Sequence, residues 1–138
     1  MGGIVLDNSI IVAWCFEDEV SDYADRAMES ARNGTLLVPS IWPLEFANTL
    51  LVSERRNRIS PDQRDRIFLD IGALPITVEH ESPERVLGEI FTLARKHQLS
   101  TYDASYLDLA LRKYLPLATQ DNALVRAAAN CGKALFQP

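Results

Sequence analysis

Four carboxylates occupy positions along the chain where metal chemistry could be assembled: Asp7, Glu45, Asp103 and Asp121. Asp7 and Asp121 follow short apolar runs, whereas Glu45 and Asp103 lie near the starts of helical patterns. Carboxylates that converge on one place repel one another, and cations relieve that repulsion. Ligand sets made only of oxygen select hard cations such as Mg²⁺ and Mn²⁺. The acidic set therefore predicts a divalent-metal site of the kind that hydrolyses phosphodiesters.

Each carboxylate also has a purely structural interpretation. Asp7 and Asp121 could cap the helices that follow them, and Asp103 fits the last position of a capping box. Glu45 differs, because its helical pattern over 41–56 is apolar nearly all round. A carboxylate buried in such a helix is costly unless it is paired or binds a metal. A satisfied core carboxylate remains the alternative for Glu45.

Two aspartates on one helical pattern are expected to point in different directions. Asp103 shares its face with Leu107 and Ala110, which places it toward the sheet. Asp108 instead stands four residues before Arg112, the spacing of an ion pair on a helix surface. We therefore predict that Asp103 faces the site and that Asp108 faces water.

The scaffold for these residues is predicted from alternating short apolar runs and longer helical patterns. Strands are expected at 3–6, 35–39, 76–78 and 115–119, with a fifth candidate at 133–136. Helices are expected over 9–16, 21–32, 41–56, 60–71, 82–97, 100–114 and 122–130. Strands separated by helices imply parallel βαβ units and a three-layer α/β fold. In such sheets the functional crevice lies beyond the carboxyl ends of the strands, where the carboxylates fall.

Composition limits the class of protein. A chain of 138 residues, 47% hydrophobic and 24% charged, suits a single globular domain over 1–138. Two cysteines and two histidines exclude a disulfide-rich scaffold and a zinc cluster built from them. No apolar run approaches the ~20 residues of a membrane span, so a cytoplasmic protein without membrane contact is expected. The net charge of −5 argues against simple electrostatic binding of nucleic acid. Two bound divalent cations would bring that charge to −1, which removes the objection.

Four motifs resemble those of the PIN-domain ribonuclease family, most closely the VapC-type toxins of bacterial toxin–antitoxin pairs. They are IVLDNS at 4–9, PLEFAN at 43–48, TYDASYL at 101–107 and LATQD at 117–121. The resemblance covers nearly the whole chain. The resemblance implies a PIN-like three-layer α/β/α sandwich around a central parallel sheet of order 3-2-1-4-5.

The resemblance also implies an activity and a set of site residues. The family's acidic metal-binding set and its supporting hydroxyls are matched here by Asp7, Glu45, Asp103 and Asp121, and by Ser9 and Thr119. The implied activity is Mg²⁺- or Mn²⁺-dependent endonucleolytic cleavage of RNA, leaving 5′-phosphate and 3′-hydroxyl ends. The implied partners are the RNA substrate, a cognate antitoxin protein and a second copy in a homodimer, for which the 41–52 helix is a candidate surface.

The basic residues give no independent support for RNA binding. Many relatives carry a basic residue just after the fourth acid, where this chain has Asn122 and Ala123. The basic runs at 95–97 and 112–113 lie at helix ends, where the helix dipole alone favours them. The arginines of 54–66 could contact an RNA backbone or form the edge of a protein interface, but the acids interspersed among them favour a solvated helix hairpin.

Two other functions remain open. A phosphorelay receiver domain is also a small α/β protein with an acidic site, but it requires paired acids after the first strand and a lysine after the last. Here Asp7 is followed by Asn8, and Lys133 begins the last predicted strand and does not follow it. The second alternative is a catalytically weak PIN module that acts by binding a partner, against which the presence of all four acids argues.

Overall fold

A central parallel sheet organises the chain. In this computed structural model, which describes residues 2–19, 21–132 and 134–138, the strands are β1 (Gly3–Leu6), β2 (Thr35–Pro39), β3 (Ile76–Glu79) and β4 (Leu117–Ala118). Their order is β3-β2-β1-β4, and all neighbours are parallel. Helices flank the sheet, so the predicted α/β/α architecture and the order of the first four strands are confirmed.

The fifth predicted strand does not form within the described residues. Leu135 makes an isolated parallel bridge to Leu117, and the Phe136 N–H donates to the Leu117 carbonyl at 2.8 Å. Lys133, the first residue of that prediction, lies outside the described residues. The neighbouring β4 is itself only two residues long, since Pro116 has no N–H to donate. It therefore offers a fifth strand little backbone to pair with.

Helices connect the strands, and most begin where the sequence predicts. The α-helical segments are α1 (Asn8–Cys15), α2 (Asp22–Ser30), α3 (Trp42–Arg55), α4 (Pro61–Gly72), α5 (Pro83–Arg85), α6 (Phe91–His97), α7 (Thr101–Lys113) and α8 (Asn122–Ala129). Short 3-10 turns occupy Glu17–Glu19 and Ala31–Asn33. No helix in the described ranges is long and apolar enough to cross a membrane.

The helix predicted over 82–97 is not regular along its length. A π-helical turn at Val86–Ile90 separates α5 from α6. Gly88 lies in this widened turn, and glycine weakens a regular helix by roughly 0.5–1 kcal/mol relative to alanine.

Polar side chains fix the starts of the helices. The N-cap side chain accepts a hydrogen bond from a backbone N–H in the first turn of α1, α2, α4, α5, α7 and α8; these caps are Asp7, Ser21, Ser60, Ser82, Ser100 and Asp121. Such caps each contribute about 1 kcal/mol to helix stability. The capping interpretation of Asp7 and Asp121 is therefore confirmed, but it does not exclude a second role.

Helix α3 is buried along only one face. Trp42, Phe46 and Leu50 recur every four residues and are buried, as expected for the core-facing stripe of a helix. Leu44, however, is 71% exposed, and Leu51 is also exposed. The apolar pattern over 41–56 therefore overstates the burial of this helix, because only one stripe meets the core.

Asp108 lies in the interior and does not face water. It is 4% exposed, and Arg85 binds it with two hydrogen bonds, from Nε at 2.9 Å and from Nη2 at 2.8 Å. The expected ion pair with Arg112 is present at 3.2 Å. The predicted orientation fails because Arg85, 23 residues earlier in the chain, covers this part of α7.

Candidate metal centre

Asp7 is the most tightly held of the four carboxylates. It follows β1 directly and is 4% exposed. Ser9 Oγ donates to its Oδ1 and Thr119 Oγ1 donates to its Oδ2, both at 2.5 Å. The Ile10 N–H adds a longer bond to Oδ1 at 3.3 Å. The structure thus brings both predicted hydroxyls to this carboxylate, one on each oxygen.

The two hydroxyls are themselves oriented by the backbone that follows β4. The Gln120 N–H donates to Ser9 Oγ at 3.2 Å, and the Asp121 N–H donates to Thr119 Oγ1 at 3.0 Å. Each hydroxyl therefore accepts from the backbone and donates to Asp7. This network joins the carboxyl ends of β1 and β4 and fixes the rotamer of the Asp7 side chain.

Burial makes the ionised form of Asp7 unfavourable. It raises the pKa of Asp7 from 3.8 to about 6, and the nearby charge of Asp103 raises it further. The hydrogen bonds from Ser9, Thr119 and Ile10 lower the pKa of Asp7, but they offset only part of this rise. A bound cation would favour the ionised form, because an opposite charge lowers the pKa of a carboxyl group.

Asp103 lies among the other three carboxylates. It occupies the first turn of α7, where its N–H donates to Ser100 Oγ at 3.0 Å. Its carboxylate makes no return bond to Ser100 within the described part of the chain, so the full capping box is absent. Burial raises the pKa of Asp103, and the charges of Asp121 and Glu45 raise it further. Asp103 thus interacts electrostatically with the whole set.

Asp121 reaches this group from the start of α8. Its Oδ2 accepts from the Leu124 N–H at 3.0 Å, which is the N-cap bond of that helix. The residue is exposed, unlike Asp7. It therefore has more freedom to adjust to a ligand than the buried carboxylate has.

Glu45 is held by a residue to which the sequence assigned no role. The Tyr106 hydroxyl donates to Glu45 Oε1 at 2.7 Å, and Tyr106 is almost completely buried. Burial, together with the nearby carboxylates, raises the pKa of Tyr106 well above its usual range. The phenol therefore stays protonated and remains a donor to Glu45. Its position three residues after Asp103, on the same side of α7, is the sequence signal that could have identified it.

Two further polar contacts support the helix that carries Glu45. The Asn8 side-chain amide donates to Thr49 Oγ1 at 3.1 Å and links α1 to α3. At the other end, Glu81 accepts from the backbone N–H of Ser40 at 3.3 Å and from its hydroxyl at 2.5 Å. Glu81 follows β3, so it holds the junction between β2 and α3 from the neighbouring strand. Its place after the third predicted strand is the only signal in the sequence that points to Glu81.

The set fits a hard divalent cation by donor type and by charge. All its members are carboxylates, and each of the other three lies close enough to Asp103 for their charges to interact. Within the described part of the chain, no three Asp, Glu, His or Cys residues are arranged to hold one ion as they stand. Binding therefore requires the more exposed carboxylates to move toward Asp7, whose own position is fixed.

Comparison with known proteins gives an independent view of the chain. Residues 4–130 match the sequence family described as the PIN domain. The chain is 31% identical over 121 residues to Ribonuclease VapC3 of Pyrobaculum aerophilum, an alignment that covers 88% of this chain and 91% of that protein.

Solved structures share the fold. The crystal structure of PAE2754 from Pyrobaculum aerophilum superposes with a TM-score of 0.69 at 24% identity, covering 91% of this chain and 79% of the other. A toxin–antitoxin complex from Klebsiella pneumoniae contains a chain that superposes with a TM-score of 0.67 at 16% identity, covering 98% and 97% respectively. At these identities the likeness concerns the fold alone.

Proposed function

Since the chain belongs to the PIN-domain family, we propose that it is a metal-dependent endoribonuclease whose residues 1–138 act as one domain. The observation that carries this proposal is the buried, hydroxyl-bound Asp7 beside a group of carboxylates that repel one another. The residues that would hold Mg²⁺ or Mn²⁺ are Asp7, Glu45, Asp103 and Asp121. Family membership replaces the receiver-domain interpretation.

Each residue of the site has a distinct task in this proposal. When bound, the cation would lower the pKa of a water molecule and stabilise the leaving oxygen of the phosphodiester. Ser9 and Thr119 hold both oxygens of Asp7 in one orientation. Tyr106 fixes Glu45, which either ligates the cation or orients the attacking water. In-line hydrolysis of this type leaves 5′-phosphate and 3′-hydroxyl ends.

The comparisons support RNA as the substrate and an antitoxin as a partner. Ribonuclease VapC3 is named for RNA cleavage, and the Klebsiella pneumoniae neighbour is part of a toxin–antitoxin complex. We therefore assign this chain the toxin role, with a cognate antitoxin that masks the acidic crevice. We propose that the protein acts in the cytoplasm, where RNA substrates would be available to it.

The third partner in this proposal is a second copy of the chain, which would form a homodimer with the first. Leu44 on α3 and Leu69 on α4 are 71% and 72% exposed, and Leu51 and Phe68 are exposed on the same two helices. Exposed apolar side chains that form a patch are typical of protein–protein contacts, and these four lie on two consecutive helices. This hairpin of α3 and α4 is the surface we assign to the contact between copies.

An RNA cleavage assay with controlled metal tests the proposal. The purified chain is expected to lose activity in EDTA and to recover it with Mg²⁺ or Mn²⁺. Asp7→Asn and Asp103→Asn should abolish cleavage, whereas Asp62→Asn, a matched change at an exposed position on α4, should not. Analysis of the product ends checks the chemistry.

Three outcomes would contradict the proposal. Products with 2′,3′-cyclic phosphate would show that the RNA 2′-hydroxyl, and not water, is the nucleophile. Normal cleavage by both site variants would show that the catalytic residues lie elsewhere. RNA or antitoxin binding with no cleavage in any metal would favour the catalytically weak PIN module.

A further inference from the structure

A basic cleft lies between the end of α6 and one face of α8. It has a volume of about 230 Å³. The α6 side provides Lys96, His97 and Gln98, and the α8 side includes Ala123, Arg126 and Asn130. None of its lining residues is acidic, and two of them carry full positive charges.

The charge of this cleft is unusual for the chain that forms it. The molecule carries a net charge of −5, yet neither α6 nor α8 contains an acidic residue. Lys96 and Arg126 are exposed, and neither forms an ion pair with another described residue. The helix dipole favours each cation at the end of its own helix. It does not explain why both helices direct their cations into one cleft without carboxylates.

The cleft lies close along the chain to the acidic site, at the start of α8 and just before the start of α7. Ala123 stands two residues after Asp121, at the start of α8. Gln98 stands two residues before Ser100, the cap of the helix whose first turn carries Asp103. From Ala123 to Asn130 the cleft follows α8 for roughly 10 Å, at ~1.5 Å per residue. The cleft therefore begins beside the two chain segments that carry Asp103 and Asp121.

We propose that the basic cleft binds a phosphodiester of the RNA strand next to the one that is cleaved, an inference that rests on the proposed ribonuclease function. Arg126 offers a planar fork of donors that matches phosphate oxygens, and Lys96 adds a second charge. Both residues would supply positive charge near Asp121, since Asn122 and Ala123, which follow it directly, carry none. The cleft thus holds the strand against an otherwise acidic molecule.

RNA binding in EDTA, where cleavage is blocked, tests this assignment without requiring activity. The probe is a fluorescein-labelled oligouridine followed by anisotropy over a range of salt concentrations. The variant combines Lys96→Gln with Arg126→Gln. The control combines Lys113→Gln with Arg26→Gln, which removes the same two charges from residues paired with Glu79 and Asp22. Circular dichroism confirms that both variants are folded.

The double variant of the cleft should bind the RNA about tenfold more weakly. The slope of the logarithm of the association constant against the logarithm of the salt concentration should shrink in magnitude by about 1.4, or ~0.7 for each lost phosphate contact. The control should bind like the wild type at each salt concentration. In Mg²⁺ the cleft variant should show a raised KM and a kcat close to that of the wild type.

The results separate this inference from the function on which it rests. Unchanged RNA affinity in the cleft variant, with normal wild-type cleavage, overturns the cleft assignment alone. Unchanged RNA affinity together with lost binding of a polyglutamate peptide would show that the cleft takes an acidic protein segment, which also overturns it. Failure of the wild type to cleave RNA in any metal contradicts the ribonuclease proposal. If the cleft variant nevertheless binds RNA more weakly, the assignment of the cleft as an RNA-binding site is still supported.

Discussion

Replacing Asp7 by asparagine is expected to stabilise the metal-free protein at neutral pH while it abolishes activity. Burial raises the pKa of Asp7 from 3.8 in the unfolded chain to about 6 in the folded one. A carboxyl group of this kind favours folding when it is protonated. That stabilisation is complete below pH 3.8 and is lost as the pH rises through about 6. Near pH 7.5 the folded wild type therefore holds a carboxylate that its surroundings disfavour.

The magnitude follows from the shift in pKa and from the hydrogen bonds at the site. A shift of about two units corresponds to about 3 kcal/mol, of which about 2 kcal/mol develops between about pH 4.5 and pH 7.5. An amide cannot accept from both Ser9 and Thr119 as the carboxylate does, and losing one such bond costs about 1 kcal/mol. Asp7→Asn should therefore stabilise the chain by about 2 kcal/mol near pH 7.5 and by nearly nothing near pH 4.5.

Urea unfolding in EDTA at the two pH values measures this effect. Asp108→Asn is the matched control, because Asp108 is equally buried, at 4% exposed, but is bound by Arg85. Breaking that buried ion pair should destabilise the protein by about 3 kcal/mol near neutral pH. An Asp7→Asn variant with the same effect on stability at both pH values, or with a greater loss of stability at the higher one, would show that burial does not disfavour the Asp7 carboxylate.

Three further predictions concern the residues around the site. Tyr106→Phe should lower kcat roughly tenfold because it releases Glu45; this loss matches the value of about 1.5 kcal/mol for one hydrogen bond to a charged group. The control Tyr114→Phe, which removes an exposed hydroxyl, should leave kcat unchanged. Arg85→Met should lower the free energy of unfolding by about 2–3 kcal/mol, since Asp108 keeps only its bond to α7, and chemical denaturation checks this value. Mg²⁺ at about one hundred times its dissociation constant should stabilise the wild type by about 2.7 kcal/mol, and thermal unfolding should show no such gain for Asp7→Asn.

The features that depend on local sequence were the most predictable. The bounds of β1 and β2 follow from short apolar runs that end in polar or turn residues, and Asp7 follows from its place directly after β1. The order of the first four strands followed from the family resemblance and is confirmed. The fifth strand fails because pairing depends on how much of β4 is extended, which the short run 133–136 does not reveal.

The features that depend on distant partners were not predictable from one sequence. Helical spacing places Asp108 next to Arg112 but carries no information about Arg85, which covers it from another segment. Likewise, Tyr106 and Glu45 are 61 residues apart, and only the packing of α7 near α3 brings them together. In both cases side-chain spacing shows which residues share a face of α7, whereas the tertiary structure decides whether that face is buried and what it contacts.

Direct measurement of Mn²⁺ binding tests the central claim, because it requires neither a known RNA target nor an antitoxin. Electron paramagnetic resonance of free Mn²⁺ during a titration with the protein gives both affinity and stoichiometry. The wild type should bind saturably, Asp103→Asn should bind at least about tenfold more weakly through loss of a direct ligand, and Asp62→Asn should match the wild type. A wild type that leaves the Mn²⁺ signal unchanged, or an Asp103→Asn variant that binds equally well, would contradict the assignment of these carboxylates to a metal centre.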